Sequence, residues 1–510
     1  MFVSYIRSLM EGLTMREFIK INQKDNVIVA LKNLQAGTKL LVDDKELELK
    51  EDIARGHKIS TILILKNSDI IKYGFPIGHA TTDIQAGVWV HTQNTKTNLS
   101  GIEEYSYLPQ ISYIPAQNEK RTFKGYKRKN GNVGIRNELF IVPTVGCVNG
   151  IADLIVKEFI REVGDIAPFE NIQVIKHNYG CSQLGDDHEY TKTILGNAAT
   201  HPNAGGVLVL GLGCENNIIE DFKDSLGSID ESRVKFLSSQ SVSNEIDAGV
   251  ALLKEIYTNA RNDVREDVPL SELKVGLKCG GSDGFSGITA NPLLGRFSDF
   301  LIAQGGTTVL TEVPEMFGAE KILMERAETE EVFHKTVSLI NDFKEYFLRY
   351  NQPVYENPSP GNKLGGITTL EDKSLGCTQK AGSAAVVDVL KYGEKLAKDG
   401  LNLLSAPGND LVATSALGAA GCQLVLFTTG RGTPFGSFIP TIKVSTNTPL
   451  YQDKSHWIDF NAGSLLENVE EEAVLQEFIN YIIAVASGQL VNHEKNEFRE
   501  IAIFKDGVTL

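Results

Sequence analysis

The chain has 510 residues and a net charge of −15, with 42% hydrophobic and 23% charged residues. This is the composition of a globular protein too long for one core, so two or three domains are expected. The acidic balance argues against nucleic acid or an anionic membrane as the main partner, and no apolar run reaches the roughly 18 residues of a membrane span. Six cysteines are too few for a disulfide framework at this length, so a reducing cytoplasm is the expected compartment.

The opening MFVSYIRSLMEGLT has neither an apolar signal core nor a small-residue cleavage site, and Met15 begins a cleaner segment. The first 14 residues therefore read as an upstream start or a loose lead. From 15 to 100 the segments FIKI, NVIVAL, TKLLV, ELELK, HKISTILIL, DIIKYG and GVWVHT are β-like with turn residues between them, which predicts a small all-β module. Residues 101–122, with two prolines and little periodicity, read as a linker.

From 123 to 270 apolar strands (LFIVPTV, IQVIKHN, GVLVLGL, VKFLSSQ) alternate with amphipathic helices, the grammar of a parallel sheet flanked by helices. A charged, Pro-containing stretch, NDVREDVPLSELK, leads into a second α/β unit over 271–510, with KVGLKC, TTVLTEV, LNLLSAPG, CQLVLFTTG and TIKVSTN as strands. The expected architecture is a small β domain followed by two α/β parallel-sheet units.

Four cysteines stand where a strand runs out into a turn: Cys147, Cys181, Cys214 and Cys279. The first three are 34 and 33 residues apart, about one strand-plus-helix unit. Open α/β sheets collect their chemistry beyond the carboxyl ends of strands, so such thiols can converge on one site. The plain alternative is a set of inert core thiols. Thiolates favour iron, zinc or copper(I), and without a C-x-x-C pair a ribbon-type zinc site is disfavoured. HNYGCSQLGDDH adds His177, Asp186, Asp187 and His188 to Cys181, although an Asp pair before a helix is also an ordinary cap. Of the histidines in the β module, His57, His79 and His91, we favour His91, which is followed by a polar loop containing Asn94.

Two glycine-rich loops, CGGSDGFSGITANPLLG and FTTGRGTPFGSF, suit close backbone approach to an anion. They offer Ser282, Asp283, Ser286 and Thr289, and Arg431 as a fork for a carboxylate. Neither is a Walker loop or a dinucleotide fingerprint, which disfavours a nicotinamide oxidoreductase. Glu312 and Glu315 follow a strand as candidate carboxylates, and Lys380 is a candidate base or carboxylate anchor.

The motifs VPTVGCVNGIA, HNYGCSQLGDDH, VLGLGCENN, CGGSDGFSGITANPLLG, TEVPEMFGAE, LEDKSLGCTQKAGS and FTTGRGTPFG together resemble the altronate branch of the altronate/galactarate dehydratase family. The resemblance runs from Met15 to the end. It implies an N-terminal SAF domain of β-clip type, and a hydro-lyase turning D-altronate into 2-dehydro-3-deoxy-D-gluconate in hexuronate catabolism. It also implies ferrous iron, with manganese as a substitute. VHTQN departs from the His-x-His-Asn form of that branch: Gln93 stands at the second imidazole position and leaves His91 as the one to follow.

The expected metal ligands are His91, His177, Cys147, Cys181, Cys214 and Cys279, either around a mononuclear iron or, with Cys147, Cys181 and Cys214, around an iron–sulfur cluster. The expected catalytic groups are Lys380, His188 and Asp283. Ser282, Ser286, Thr289, Arg431 and Asn94 would contact the sugar acid. A related aldarate such as galactarate, or mere binding of a sugar acid, are the alternatives, and a homo-oligomer is left open.

Overall fold

The computed structural model describes residues 16–467, 469–507 and 509, so the reading of residues 1–14 falls outside it. The N-terminal domain is built from short antiparallel strands in three small sheets. Its hairpins close on two-residue turns with both residues at positive φ, Asp43–Asp44 and Tyr73–Gly74. That backbone matches the twist of the flanking strands. Residues 101–121 hold no strand or helix, yet they are tied down along the third domain. Tyr105 hydrogen-bonds Glu320 at 2.6 Å and the Gln117 amide bonds the Ala303 carbonyl at 2.9 Å.

The second domain is a four-stranded, all-parallel sheet. Its strands are β1 (Glu138–Pro143), β2 (Asn171–Val174), β3 (Ala204–Gly211) and β4 (Val234–Ser238), in the order β2-β1-β3-β4. Helices α1 (Asn149–Val163), α2 (Gly185–Ala199) and α3 (Glu245–Ala260) cover its faces. β1 and β3 are buried on both faces, as parallel strands between helices must be.

The third domain carries seven parallel strands: β5 (Lys274–Cys279), β6 (Thr307–Leu310), β7 (Val386–Leu390), β8 (Gly400–Leu404), β9 (Leu424–Thr429), β10 (Thr441–Ser445) and β11 (Phe460–Asn461). Their order is β7-β8-β6-β5-β9-β10-β11. In each sheet the strand order reverses beside its first strand, between β1 and β3 in the second domain and between β5 and β9 in the third. Ligands of open α/β sheets bind in the crevice beyond such points.

The two α/β domains share an apolar layer that includes Phe140, Leu195, Val209, Leu417 and Phe438. Helix α2 packs beside α5 (Asp410–Ala419). Just beyond the C-terminal end of α2, His201 bonds the Cys422 carbonyl, in the turn entering β9. At its N-terminal end Asp187 accepts from the amides of Asp506 and Gly507. Phe504 in turn bonds Tyr392, just past the carboxyl end of β7. Both sheets therefore present their carboxyl ends to the same side. No helix among the described residues is long and apolar enough to cross a membrane.

Candidate active site

Cys279 ends β5 and its loop turns through Gly280–Gly281 into Ser282 and Asp283. On the facing helix α4 (Leu370–Cys377), Lys373 and Cys377 are four residues apart and share a face. The Cys279 and Cys377 sulfurs lie 3.4 Å apart, and Glu315 Oε2 is 3.3 Å from each. Among the described residues these three form the sole trio of His, Cys, Asp or Glu whose donor atoms all fall within 4.8 Å of one another.

Three buried lysines surround the trio. Lys373 Nζ donates to Glu315 Oε1 at 2.8 Å, Lys278 to Glu312 Oε1 at 2.6 Å and to Asp410 at 2.9 Å, and Lys380 to Glu312 Oε2 at 3.3 Å. Burial alone would raise the Glu315 carboxyl, but the ammoniums of Lys373, Lys278 and Lys380 bring it down to about 2. Burial likewise works against the Lys380 ammonium, yet Cys279, Cys377 and the two glutamates hold it well above the ordinary lysine value. Lys380, expected as a base or carboxylate anchor, is here bonded to Glu312. The Cys377 thiol is pushed up by its hydrogen bond with Cys279 and by burial. Glu312, a non-glycine residue at φ +70, holds a left-handed backbone here, the kind of local strain that gathers at working sites.

The N-terminal domain closes over this end of the sheet. Lys58 and Lys72 donate to Asp372 at 2.7 and 2.9 Å, and Lys58 also reaches the Gly366 carbonyl. Between the two domains lies a small recess lined by Lys72, Tyr73, Ser282, Asp283, Lys373 and Cys377. The Ser282 hydroxyl is buried there without a hydrogen-bond partner. His91 stacks on Trp89 and bonds Thr368 through Nδ1 at 3.0 Å. Burial, together with Lys58 and His57, lowers its pKa to about 4, so the ring is neutral at pH 7.

Several expected residues serve the scaffold instead. His177 has both ring nitrogens engaged, Nε2 on the Pro143 carbonyl and Nδ1 on the Tyr179 amide, leaving no lone pair for a metal. Asn94 caps the turn at His91 and bonds the Trp89 carbonyl. Thr289 spends its hydroxyl on the carbonyls of Phe285 and Thr446. Asp283, its carboxyl raised by burial, ties Ser286, Thr446 and Asn447 into the loop. His57 is satisfied by Trp89 and Leu364. His79 bonds Asn98. His188 stands on the first turn of α2 in the second domain, away from this cluster. Arg431 is exposed, with its chain beside Gly281 and Gly361 at the rim.

Cys147, Cys181 and Cys214 are exposed at the carboxyl ends of the second-domain strands. The single centre expected from four strand-end thiols is thus two sets, because β1–β3 and β5 belong to different sheets. Cys377, Lys373, Lys278 and the Lys58–Asp372–Lys72 group were not foreseen. The i, i+4 spacing of Lys373 and Cys377 was the available signal.

Three family models tile the chain. They are the altronate/galactarate dehydratase SAF domain over residues 16–98, the second domain of D-galactarate dehydratase/altronate hydrolase over 125–261, and the C-terminal domain of D-galactarate/altronate dehydratase over 270–509. The chain is 69% identical to altronate dehydratase of Bacillus subtilis (strain 168) and 58% identical to that of Escherichia coli (strain K12), covering 97% of this chain and 100% of each relative. Galactarate dehydratase (L-threo-forming) of Escherichia coli (strain K12) is 34% identical over 92% of this chain and 93% of its own length. With its capped sheet end and thiol–carboxylate–lysine cluster, the chain belongs to the altronate/galactarate dehydratase family.

Proposed function

We propose that this enzyme removes water from D-altronate to give 2-dehydro-3-deoxy-D-gluconate, in the cytoplasm, as a step of hexuronate breakdown. The observation that carries the substrate choice is near-complete coverage of two relatives named altronate dehydratase at 69% and 58% identity, against 34% for the galactarate enzyme.

The reaction takes the weakly acidic proton from C2, beside a carboxylate, and expels the C3 hydroxyl. A positioned base contributes about 10²–10⁴ in rate, too little for such a barrier by itself. Ferrous iron, or manganese in its place, would supply Lewis-acid polarisation of the carboxylate or the leaving hydroxyl when bound.

The donor set of Cys279, Glu315 and Cys377 fits such an ion. Two soft sulfurs and one carboxylate oxygen, 3.3–3.4 Å from one another, converge on a common point that one ion could occupy. The charges fit as well. Three ammoniums face three carboxylates, so two ionised thiols leave an excess of −2 that a divalent cation balances.

The remaining roles fall to the chain itself. The ammoniums of Lys278, Lys373 and Lys380 hold the Glu312 and Glu315 carboxylates in place. Arg431 at the rim supplies a fork for the substrate carboxylate, and the unpartnered Ser282 hydroxyl is available to a substrate hydroxyl. His91, its Nδ1 bonded to Thr368, is assigned the C2 proton.

The test is an anaerobic assay of 2-keto-3-deoxy acid formation with D-altronate and galactarate, with and without Fe(II). Iron-dependent product from D-altronate, with kcat/KM at least tenfold above galactarate, is expected, as is its loss in Cys279→Ser and Cys377→Ser. Preference for galactarate, or no keto product under any metal condition, overturns the reading.

A further inference from the structure

We infer that the second domain holds a separate iron–sulfur cluster site on Cys147, Cys181 and Cys214. The inference rests on the second-domain loops and does not depend on which acid is dehydrated.

The three thiols sit on turns that leave β1, β2 and β3, neighbouring strands of one sheet, around the point where its strand order reverses. Backbone contacts lock these turns to one another. The Gly146 amide donates to the Tyr179 carbonyl at 2.9 Å, and the Asn217 amide to the Gly180 carbonyl at 3.1 Å. The Ser182 amide donates to Asn216 Oδ1 at 2.7 Å. Each cysteine is thus within two residues of a bond to another cysteine's loop. Gly180, at φ +99, makes this approach possible: a Cβ there would stand 2.0 Å from the Thr144 carbonyl oxygen.

Exposed free thiols are usually a liability, and here three are gathered on a rigid, interlocked platform. Two of the turns run directly into the N-terminal ends of α1 and α2, whose dipoles favour negative charge beside them. Gln240 already donates to Cys214 Sγ at 3.5 Å, the kind of contact that tunes cluster sulfurs. Next to it, the Ser239 hydroxyl is buried without a partner.

Three cysteines on three neighbouring strand ends suit a cluster better than a single ion. A cluster distributes its thiolates over separate irons, and three protein ligands leave one iron for a small exogenous ligand. All-sulfur donors select iron–sulfur, zinc or copper(I) over magnesium or calcium.

The test uses the full-length protein, freed of metal and then reconstituted anaerobically with Fe(II) and sulfide. Expected are stoichiometric acid-labile sulfide and a broad visible charge-transfer absorption. Both should be lost in Cys147→Ser, Cys181→Ser and Cys214→Ser, and kept in Cys422→Ser and Cys279→Ser. A second readout needs no variant: alkylation with mass spectrometry. Cys147, Cys181 and Cys214 should label in the metal-free protein and become protected together on reconstitution, with the three buried thiols unlabelled throughout. Labelling of the trio unchanged by loading, or protection by Fe(II) or Zn(II) without sulfide, would overturn the assignment to a cluster. Loss of dehydratase activity with the cluster intact would instead count against the proposed reaction alone.

Discussion

Lys58 of the SAF domain and Asp372 of the third domain meet at 2.7 Å, both side chains wholly buried. Lys72 reaches the other oxygen of the same carboxylate at 2.9 Å. Burial would raise the Asp372 carboxyl, but the two ammoniums hold it well below the usual range. The same burial, with repulsion from Lys72, lowers Lys58 to about 8. One carboxylate thus anchors two lysines of the domain that caps the site. Asp372→Asn leaves both charges uncompensated, a loss of about 3–5 kcal/mol. The expected result in denaturant unfolding is a shifted midpoint for the capping domain, with limited proteolysis releasing residues 16–98 first. Unchanged protease resistance would show that the seam is held elsewhere.

Much of this architecture was legible in the sequence. Apolar runs ending in Gly-Cys announced β1, β2 and β3, and the alternation with helices announced parallel sheets. Strand ends can be read locally, but membership of a sheet cannot. The ribbon of Thr122–Lys127 paired with Glu266–Pro269 closes off the second domain before β5 begins, which separates Cys279 from the other three thiols. Lys278 and Lys373 carry no mark in the sequence, and Lys380 reads as a base or carboxylate anchor, because a lysine's partner is visible only in three dimensions. HKISTILIL reads as one strand, yet the strand is Lys58–Ser60 alone, with Ile64 in an isolated bridge to Ile84 and Ile62, Leu63 and Leu65 facing outward. Residues 101–121 lack periodicity because their partners lie on the third domain, as with Tyr105 on Glu320, Gln110 on the Glu325 carbonyl and Gln117 on the Ala303 carbonyl.

His201 couples stability to pH. Its Nε2 donates to the Cys422 carbonyl and its Nδ1 accepts from the Asn203 amide, and burial lowers its pKa to about 4. The folded value lies below the unfolded one of about 6.5, so the unfolded chain binds the extra proton in that interval. The stabilisation is complete above about pH 6.5 and is lost as pH falls toward 4. Between pH 7.5 and 5, unfolding free energy should fall by about 2 kcal/mol more in the wild type than in His201→Gln. Parallel pH profiles in urea would refute this.

Ser282 separates function from stability. Its hydroxyl makes no hydrogen bond although it is buried, so Ser282→Ala removes no protein contact. Stability should stay within about 0.5 kcal/mol of wild type. If a substrate hydroxyl completes that bond, kcat/KM for D-altronate falls roughly tenfold, the weight of about 1.4 kcal/mol. Unaltered kinetics would place the sugar chain elsewhere.

Two glycines of the third domain make room for one carbonyl of the SAF domain. A Cβ on Gly284 would stand 2.1 Å from the Gly56 oxygen, and one on Gly366 would stand 2.2 Å from it. Neither neighbour is a flexible side chain, so the backbones themselves must separate. Gly366 also lies at φ +100, where a side chain adds strain, while Gly284 tests the space alone. Each Ala variant should cost over about 2 kcal/mol by forcing contact across the seam. Each should also loosen the cap, since Lys58 bonds the Gly366 carbonyl and the Gly284 amide bonds Gly365. Gly150→Ala is the control. It has nothing within 4 Å in helix α1 and gains helix propensity, so stability should hold or rise by up to about 1 kcal/mol. Tight capping matters for the chemistry because water admitted to the recess would screen the lysine–carboxylate pairs and solvate His91. Activity in Gly284→Ala and Gly366→Ala should therefore fall further than stability does at 25 °C, measured as kcat under conditions where both variants remain folded by circular dichroism. Full kcat in a variant whose cap is shown by proteolysis to be loose would mean that the SAF domain is not needed to close the site.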